Sequence, residues 1–415
     1  GFTGDGYIDR ALQNDWLICN DSVVSPASSN ALEDLQLRIS LEPIRDLKID
    51  LTANRTRNRS REIQYMFEGM PDTHSGNFSM SIISIGSAFE RPSAGDGYHS
   101  GTFERFRRNL DVIRDRVESQ FLGAQYPQGS ALAGKTFDPA NGTISKHSPD
   151  VMIPAFLAAY TGRSARNSAL DFFPSLFSMM PNWRITYTGL TKIAWFKKNF
   201  RSVNLNHAYR STYSVGSYNT FQSFMSYMGD IGFVEDVQSG NPIPSSRFDI
   251  SMVSINEQFS PLIGMDATLK NGLTAKVEYK TSRILNLSMS ACQLVETASR
   301  DFVIGLGYKI VNFNLFSGRN VKDSKNRVSH DLALRADISF RNQSALCRDI
   351  QQGFAQATNG NKALKISCSA DYTLSRLLTL RLYYDRQQNT PLISSSSYPV
   401  VSADFGFSMK FSLTR

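Results

Sequence analysis

The sequence predicts an all-β fold, a segment of an antiparallel transmembrane β-barrel, and three observations support this fold class. Apolar and polar residues alternate with a period of two over long segments. These segments run for ~9–12 residues, whereas strands of globular proteins usually have ~5–6. The chain has no run of ~18 or more uncharged apolar residues, which excludes a helical membrane protein. A composition of 41% hydrophobic and 20% charged residues is compatible with a barrel, because only every second residue of a barrel strand must be apolar, but it does not distinguish a barrel from a soluble protein.

The last segment of the chain shows the alternation most clearly. Its odd positions are apolar and its even positions, which include Ser408 and Lys410, are polar. Because successive side chains of a strand point to opposite faces, one face of this strand is purely apolar. A sandwich strand with one wet face is the alternative for this strand taken alone. In a barrel, the residues predicted to face lipid are Phe405, Phe407, Met409, Phe411 and Leu413.

The same pattern recurs along the chain, which favours a barrel over a sandwich. We predict about fourteen strands between residues 33 and 415, the last of them a closing strand. The polar positions of these strands carry charges of both signs, which should line a lumen. Such mixed charges hydrate a pore without selecting one small ion strongly. The residues predicted to face this lumen are Arg38, Lys48, Asp50, Lys276, Glu278, Lys280, Arg335, Asp337, Arg341, Arg381, Asp385 and Lys410.

Two hairpins can be predicted from strand parity. A two-residue turn at Asn271-Gly272 would pair Leu269 with Thr274 and break the apolar face. A three-residue loop over residues 270–272, with Gly272 in the left-handed region, pairs Leu269 with Leu273 and preserves that face. The same parity applies to the loop over residues 375–377, and a further turn is predicted over residues 43–46.

One stretch departs from the strand pattern and predicts a partly helical insert. Between residues 101 and 121, apolar side chains recur at intervals of three and four, as on an amphipathic helix. A second helix should begin with Ser148 as N-cap and Pro149 at its first position, and kink or end at Pro154. We therefore divide the chain into barrel strands (1–86), an insert (87–182) that caps or lines the lumen or lies outside the barrel, and barrel strands (183–415).

No catalytic, cofactor-binding or metal-binding site is predicted. The five histidines form no HExxH motif, and Cys19, Cys292, Cys347 and Cys368 form no CxxC pair. The net charge is +8, but the densest basic stretch, residues 55–61, alternates arginine with small polar residues and is expected to be a solvated strand end or loop. The chain is thus predicted to be non-enzymatic and not to bind nucleic acid.

Seven long and chemically unusual runs occur in order over nearly the whole chain, at residues 66–85, 153–162, 180–190, 207–218, 254–266, 303–309 and 396–415. Among them are MFEGMPDTHSGNFSMSIISI, MPNWRITYTGL and SINEQFSPLIGMD. These runs resemble the C-terminal part of the SprA/Sov family, the giant outer-membrane translocon proteins of the type 9 secretion system. Members of that family are far longer, so we expect this chain to be a fragment that pairs with the missing N-terminal part of its own barrel.

The resemblance implies a location, a function and partners. It implies a very large single-chain barrel in the bacterial outer membrane that exports folded cargo proteins, in systems that also serve gliding motility. The implied partners are a PorV-type shuttle barrel at a lateral opening, a plug protein and a periplasmic peptidyl-prolyl isomerase, with energy from an inner-membrane motor.

Two other functions remain open from the sequence. A small-molecule porin or TonB-type receptor barrel shares the strand parity but needs a complete barrel within the chain. A soluble all-β carbohydrate-binding or hydrolytic domain would need exposed aromatic residues over a groove and a pair of carboxylates. If the last strand descends to the periplasm, residues 342–360 and 387–398 and the insert lie outside the cell.

Overall fold

The computed structural model describes residues 7–16, 26–63, 73–90, 92–311, 313, 331–374, 378–393 and 398–411. Its main feature is one thirteen-stranded sheet, called the wall below, in which every pair of neighbouring strands is antiparallel. A separate three-stranded sheet accompanies it. The predicted all-β class is confirmed. None of the helices in the described ranges has the length and apolar character needed to cross a membrane.

The wall strands are β1 (Ala27–Ile44), β2 (Leu47–Ile63), β3 (Thr73–Ser81), β4 (Asn182–Tyr187), β5 (Phe200–Thr220), β9 (Phe248–Ile250), β10 (Met252–Leu269), β11 (Leu273–Ser288), β12 (Gln293–Ile310), β13 (Leu332–Asp349), β14 (Ala355–Thr373), β15 (Leu378–Pro391) and β16 (Val400–Phe411). The small sheet contains β6 (Met225–Met228), β7 (Ile231–Glu235) and β8 (Pro242–Ser246). The helices are α1 (Tyr7–Gln13), α2 (Gly101–Ser119), α3 (Pro149–Tyr160) and α4 (Ala194–Asn199), together with short 3₁₀ turns.

The wall strands are longer than the ~9–12 residues that the alternation predicts. For example, β1 has 18 residues, β5 has 21 and β14 has 19. The prediction fell short because each strand continues past its apolar stretch into polar or buried residues, where the alternation no longer stands out. The predicted turn at residues 43–46 is also shorter, since Ile44 already pairs with Leu47.

The order of strands across the wall is β1-β2-β3-β5-β10-β11-β12-β13-β14-β15-β16. β4 lies in line with β3, because both pair with β2 on one side and β5 on the other. β9 similarly lies in line with β10 beside β5. The thirteen strands therefore occupy eleven positions. β1 and β16 are the two edges, so β16 does not close the sheet on another described strand, and its predicted role as the closing strand of a larger barrel stays a prediction.

The insert connects β3 and β4, which lie in line between β2 and β5. The chain leaves the sheet after Ser81 and returns at Asn182, so residues 82–181 form the insert. The Asn182 Nδ2 atom donates a hydrogen bond to Ser81 Oγ at 3.1 Å, which joins the two ends. The Met180 backbone N–H also donates to the Ser81 carbonyl at 3.1 Å.

The predicted helices of the insert are confirmed. The apolar stripe of α2, which includes Phe103, Phe106 and Ile113, is fully buried. Ser148 is the N-cap residue of α3 and Pro149 is at its first turn, as predicted. Of the two alternatives predicted at Pro154, a kink or an end, the end is wrong, because α3 continues to Tyr160. Burial holds this helix, since nearly all of its residues pack into the core that the insert shares with the wall.

The predicted hairpin geometry is confirmed where the structure describes it. Thr268 pairs with Thr274, which places Leu269 opposite Leu273, and Gly272 has a φ of +89°. The left-handed conformation explains the glycine, since a side chain at this φ would be strained. In the second hairpin, the Leu374 N–H donates to the Leu378 carbonyl at 3.0 Å, whereas residues 375–377 lie outside the described residues.

Candidate functional site

The two faces of the wall differ in chemistry, and the difference extends across many strands. On β16, Phe405, Phe407, Met409 and Phe411 are 58–71% exposed. Leu413, the fifth residue predicted for this face, lies outside the described residues. The apolar face continues through the register partners of these residues to the other edge of the sheet, where it includes Tyr384, Leu382, Phe340, Ile338, Leu334, Tyr308, Leu306, Phe302, Ile263, Leu41, Ile39 and Leu37, all exposed.

The opposite face carries the charges that the sequence assigned to a lumen. Glu278 accepts from both of its neighbours on β11, with the Lys276 Nζ at 3.0 Å and the Lys280 Nζ at 2.9 Å from its carboxylate oxygens. Gly305 lies between Lys276 and Asp337 in register. Because glycine leaves no side chain there, the strands form a cleft of about 380 Å³ lined by both charged residues and by Arg335.

A second charged cluster lies nearer the β1 edge. Asp50 accepts from the Ser40 hydroxyl at 2.5 Å and lies 3.4 Å from the Lys48 ammonium. Asp50 lines a cleft of about 410 Å³, which is also lined by Arg38, Arg184 and Arg210. These last two arginines were not predicted from the sequence, although both occupy polar-parity positions on β4 and β5.

The remaining predicted residues of the charged face are spread along its β13–β16 half. Arg341 donates to Asp301 at 2.9 Å, and Arg381 lies 3.6 Å from Asp371. Asp385 lies opposite Asp404 on β16, and Lys410 lies opposite Thr379. The structure thus brings together mixed charges, with few clusters of one sign. Asp301 and Asp371 were not selected from the sequence, although their parity would have identified them.

The insert packs against the apolar face of the wall. Its core includes Leu285 and Leu287 of β11 and Leu294 of β12. These residues share strand parity with the exposed Tyr308 and Phe302, so the insert covers one end of the apolar face. It does not line the charged face. Of the alternatives left open from the sequence, the structure supports a position outside the wall. The β13–β14 hairpin lies at the same end, where Arg107 Nε donates to the Ile350 carbonyl at 3.0 Å.

A buried ion pair joins the insert to the wall. Arg283 Nη2 lies 2.6 Å from Glu257 Oε2, and the two side chains are only 9% and 2% exposed. The arginine also donates to the Ser87 carbonyl at 2.7 Å, and Glu257 Oε1 accepts from the Ser84 hydroxyl at 2.7 Å and the Tyr209 hydroxyl at 2.8 Å. These partners offset charges that would be costly to bury alone, although Arg283 Nε is buried without a hydrogen-bond partner in the described residues.

A second buried pair supports the other side of the insert. The Arg348 side chain is 1% exposed, and its Nη2 lies 3.1 Å from Glu296 Oε2. Its Nη1 donates to the Tyr98 carbonyl at 2.6 Å, and its guanidinium lies 5.5 Å from the centre of the Phe103 ring. Neither pair was predicted from the sequence. The signal that could have indicated them is a charged residue on the apolar parity of a strand, as at Arg283 between Tyr279 and Leu285 on β11.

The arginine-rich stretch lies in β2. Residues 55–61 form the second half of this paired wall strand, so of the two expected alternatives the strand end is confirmed and the loop is wrong. Their arginines alternate onto the insert side of the sheet. Arg55 lies 5.2 Å from the centre of the Phe78 ring and Arg57 lies 4.7 Å from that of Phe173. Glu33 of β1 forms ion pairs with Arg55 and Arg59.

The described residues contain no group of three or more histidine, cysteine or acidic side chains that could hold a metal ion. Cys292, Cys347 and Cys368 are free thiols.

Comparisons with known proteins add little to this description. No protein-family model matches the chain, and no curated protein matches it. Among solved structures, the chain is similar to OmpT (in-vitro folded), an outer membrane protein of Vibrio cholerae in its trimer form. The match covers 93% of this chain and 99% of that one, with 9% identity and a TM-score of 0.23. At this TM-score the likeness does not support a shared fold, so the assignment of a membrane barrel wall depends on the strands themselves.

Proposed function

We propose that this chain is a wall segment of an outer-membrane β-barrel channel that exports folded proteins in type 9 secretion. The observation that carries the proposal is the separation of an exposed apolar face from a mixed-charge face along long antiparallel strands. Soluble proteins rarely expose contiguous apolar patches of more than a few hundred Å². A hydrocarbon environment removes the cost of exposing this face, and the charged face then lines water.

The open edges support a barrel larger than the described sheet. β1 and β16 each present a row of backbone N–H and C=O groups that no described strand pairs. Such groups require partners within a membrane, since lipid offers none. The wall is thus proposed to continue into further strands, which would widen the lumen beyond that of a small-solute pore.

The charged face suits the passage of a large cargo. Its charges are of both signs and many neutralise each other, as Lys276, Glu278 and Lys280 do. A folded protein would meet a wetted surface without a strong single-sign field to hold it. The resemblance to the SprA/Sov family supplies the cargo class and the proposed PorV-type, plug and isomerase partners. No residue of the wall is assigned a catalytic role; the mechanism is geometric.

Site-specific photo-crosslinking of an export intermediate tests the proposal. In the full-length protein in cells, a benzophenone amino acid replaces Arg335 or Ser408 on the charged face, and Phe407 on the apolar face serves as control. A cargo protein fused to a domain that blocks its release should form adducts at positions 335 and 408 only. Cargo adducts at position 407, or none at all together with uptake of small solutes into vesicles, would contradict export and favour a porin.

A further inference from the structure

The connection between β4 and β5 has a composition that the wall function does not require. It comprises residues 189–200, sequence GLTKIAWFKKNF, and is called the aromatic turn below. A 3₁₀ turn (Gly189–Lys192) and helix α4 form its backbone. It lies at the end of the wall away from the insert, next to the β1–β2 and β10–β11 turns.

Three rings of the aromatic turn pack together. The ring centroids of Trp195 and Phe196 are 4.9 Å apart, and those of Phe196 and Phe200 are 5.6 Å apart. Despite this packing, Trp195 is 62% exposed and Ile193 is 52% exposed. Phe200 lies opposite Leu269 on the apolar face of the wall. The aromatic turn therefore extends the apolar face at its insert-free end.

Basic residues surround the exposed rings. Lys192 forms an ion pair with Asp46, which fixes the start of the aromatic turn to the β1–β2 turn. Lys197, Lys198 and Arg201 are exposed and form no ion pair with any residue in the described part of the chain. The Lys270 N–H donates to the Asn199 carbonyl at 3.2 Å, which adds a further basic residue beside the helix. The surroundings of the rings are thus strongly positive.

Aromatic residues beside lysines match the boundary between lipid headgroups and acyl chains. Tryptophan is enriched there because its ring is apolar and its N–H is polar. Lysine stems can lie along the apolar layer while the ammonium groups reach anionic headgroups. We propose that the aromatic turn is an interfacial anchor that binds anionic phospholipid at the insert-free end of the wall. This inference rests on the proposed membrane location of the wall.

Photo-crosslinking to lipid tests the anchor in the full-length protein. The protein is placed in nanodiscs of equal parts phosphatidylglycerol and phosphatidylcholine, with a benzophenone amino acid at position 195. Position 407 on the apolar face is the positive control. Position 237, where Val237 is 99% exposed beside the small sheet, is the negative control. Lipid adducts are expected at positions 195 and 407 and not at position 237, and phosphatidylglycerol should predominate at position 195.

Charge removal then tests the headgroup preference. K197Q/K198Q should lower the ratio of phosphatidylglycerol to phosphatidylcholine adducts at position 195 by about fivefold or more, an effect that added salt should also produce. The matched control K135Q/K146Q removes two lysines of the insert and should leave the ratio unchanged.

The outcomes separate this inference from the proposed function. Lipid adducts at position 407 with only protein adducts at position 195 would overturn the anchor and leave the membrane wall standing. Adducts at position 195 without a headgroup preference would overturn the role of the lysines. Absence of lipid at position 407 would contradict the membrane wall itself.

Discussion

Two arginine–carboxylate pairs of the wall have the same strand geometry in different surroundings. Glu257 lies directly opposite Arg283, and Asp301 lies directly opposite Arg341. The first pair is buried beneath the insert, whereas the Arg341 side chain is 61% exposed. Removing one partner of a buried pair leaves an uncompensated charge, whereas an exposed pair contributes little.

We predict that E257Q loosens the insert from the wall. The uncompensated Arg283 should cost about 3–5 kcal/mol, whereas loss of the exposed pair in D301N should cost less than ~1 kcal/mol. Hydrogen–deuterium exchange of peptides from α2 and α3 measures the effect. Exchange should rise in E257Q and stay at the native level in D301N. Equal exchange in the two variants would show that the buried pair does not hold the insert.

Neighbouring residues of β16 should respond oppositely to a new charge. F407R places a cation on the apolar face, where arginine near a bilayer midplane costs about 2–4 kcal/mol. S408R places the same side chain on the charged face and should cost almost nothing. The fraction of assembled barrel in isolated outer membranes measures both. If S408R assembles as poorly as F407R, the assignment of the two faces is wrong.

At the scale of elements, two acidic residues of the insert have opposite environments. Glu90 accepts hydrogen bonds from the Ser100 hydroxyl at 2.5 Å and from the Thr102 N–H at 2.9 Å at the start of α2. Burial acts to raise the pKa of Glu90, but these hydrogen bonds outweigh it and lower the pKa overall. Asp150 in the first turn of α3 is fully buried, and burial raises its pKa although Ser246 N–H donates to it at 3.2 Å.

These two residues should give the insert opposite pH dependences. Because the folded-state pKa of Glu90 lies below its unfolded value, its contribution is complete above about pH 4.3 and is lost as the pH falls through the folded-state pKa. The contribution of Asp150, whose folded-state pKa is raised, is complete below about pH 3.9 and is lost as the pH rises through the folded-state pKa. At neutral pH, the lowered pKa of Glu90 therefore stabilises the insert, whereas the raised pKa of Asp150 costs stability.

The matching prediction compares E90Q with D150N at neutral pH. E90Q should speed hydrogen exchange in α2, since glutamine cannot accept all the hydrogen bonds of the carboxylate. D150N should leave exchange in α3 unchanged or slower, because a neutral amide can still accept from Ser246. Faster exchange in α3 of D150N than in native protein would contradict the raised pKa.

The elements also show which features local sequence can predict. Alternation at Phe407 and Ser408 depends only on strand geometry, and the loop at Gly272 depends on the parity of adjacent residues, so both were predicted correctly. Arg55 and Arg283 face the insert because a segment distant in sequence covers that side of their strands. The period of a strand does not show which segment covers it. The alignment of β3 with β4 was missed for the same reason, since 100 residues separate Ser81 from Asn182.

At the scale of the whole molecule, the two edges of the wall run in the same direction. β1 begins at the insert end with Ala27, and β16 begins there with Val400. Pairing them directly would create a parallel contact in a sheet whose described pairs are all antiparallel. Closure of the sheet by β1 and β16 of one chain would therefore introduce the only parallel pair among the described strands.

We predict that β1 and β16 do not contact each other within one chain. In the full-length protein with native cysteines replaced by serine, Q36C/D404C should give no intramolecular disulfide under oxidation. R381C/S408C, at directly opposed positions of β15 and β16, should cross-link fully. An intramolecular bridge in the first variant would establish that the chain closes on itself.

The direction of the edges also constrains what can complete the barrel. In a membrane, all copies of a protein share one orientation, so a ring of identical copies would place β16 of each against β1 of the next and contain a parallel seam at every junction. With eleven positions in this wall, an all-antiparallel ring requires an odd number of additional strands between the edges. Under the proposed membrane location, the strands that complete an all-antiparallel barrel therefore cannot be a second copy of this wall, and the proposed pore is asymmetric around its circumference.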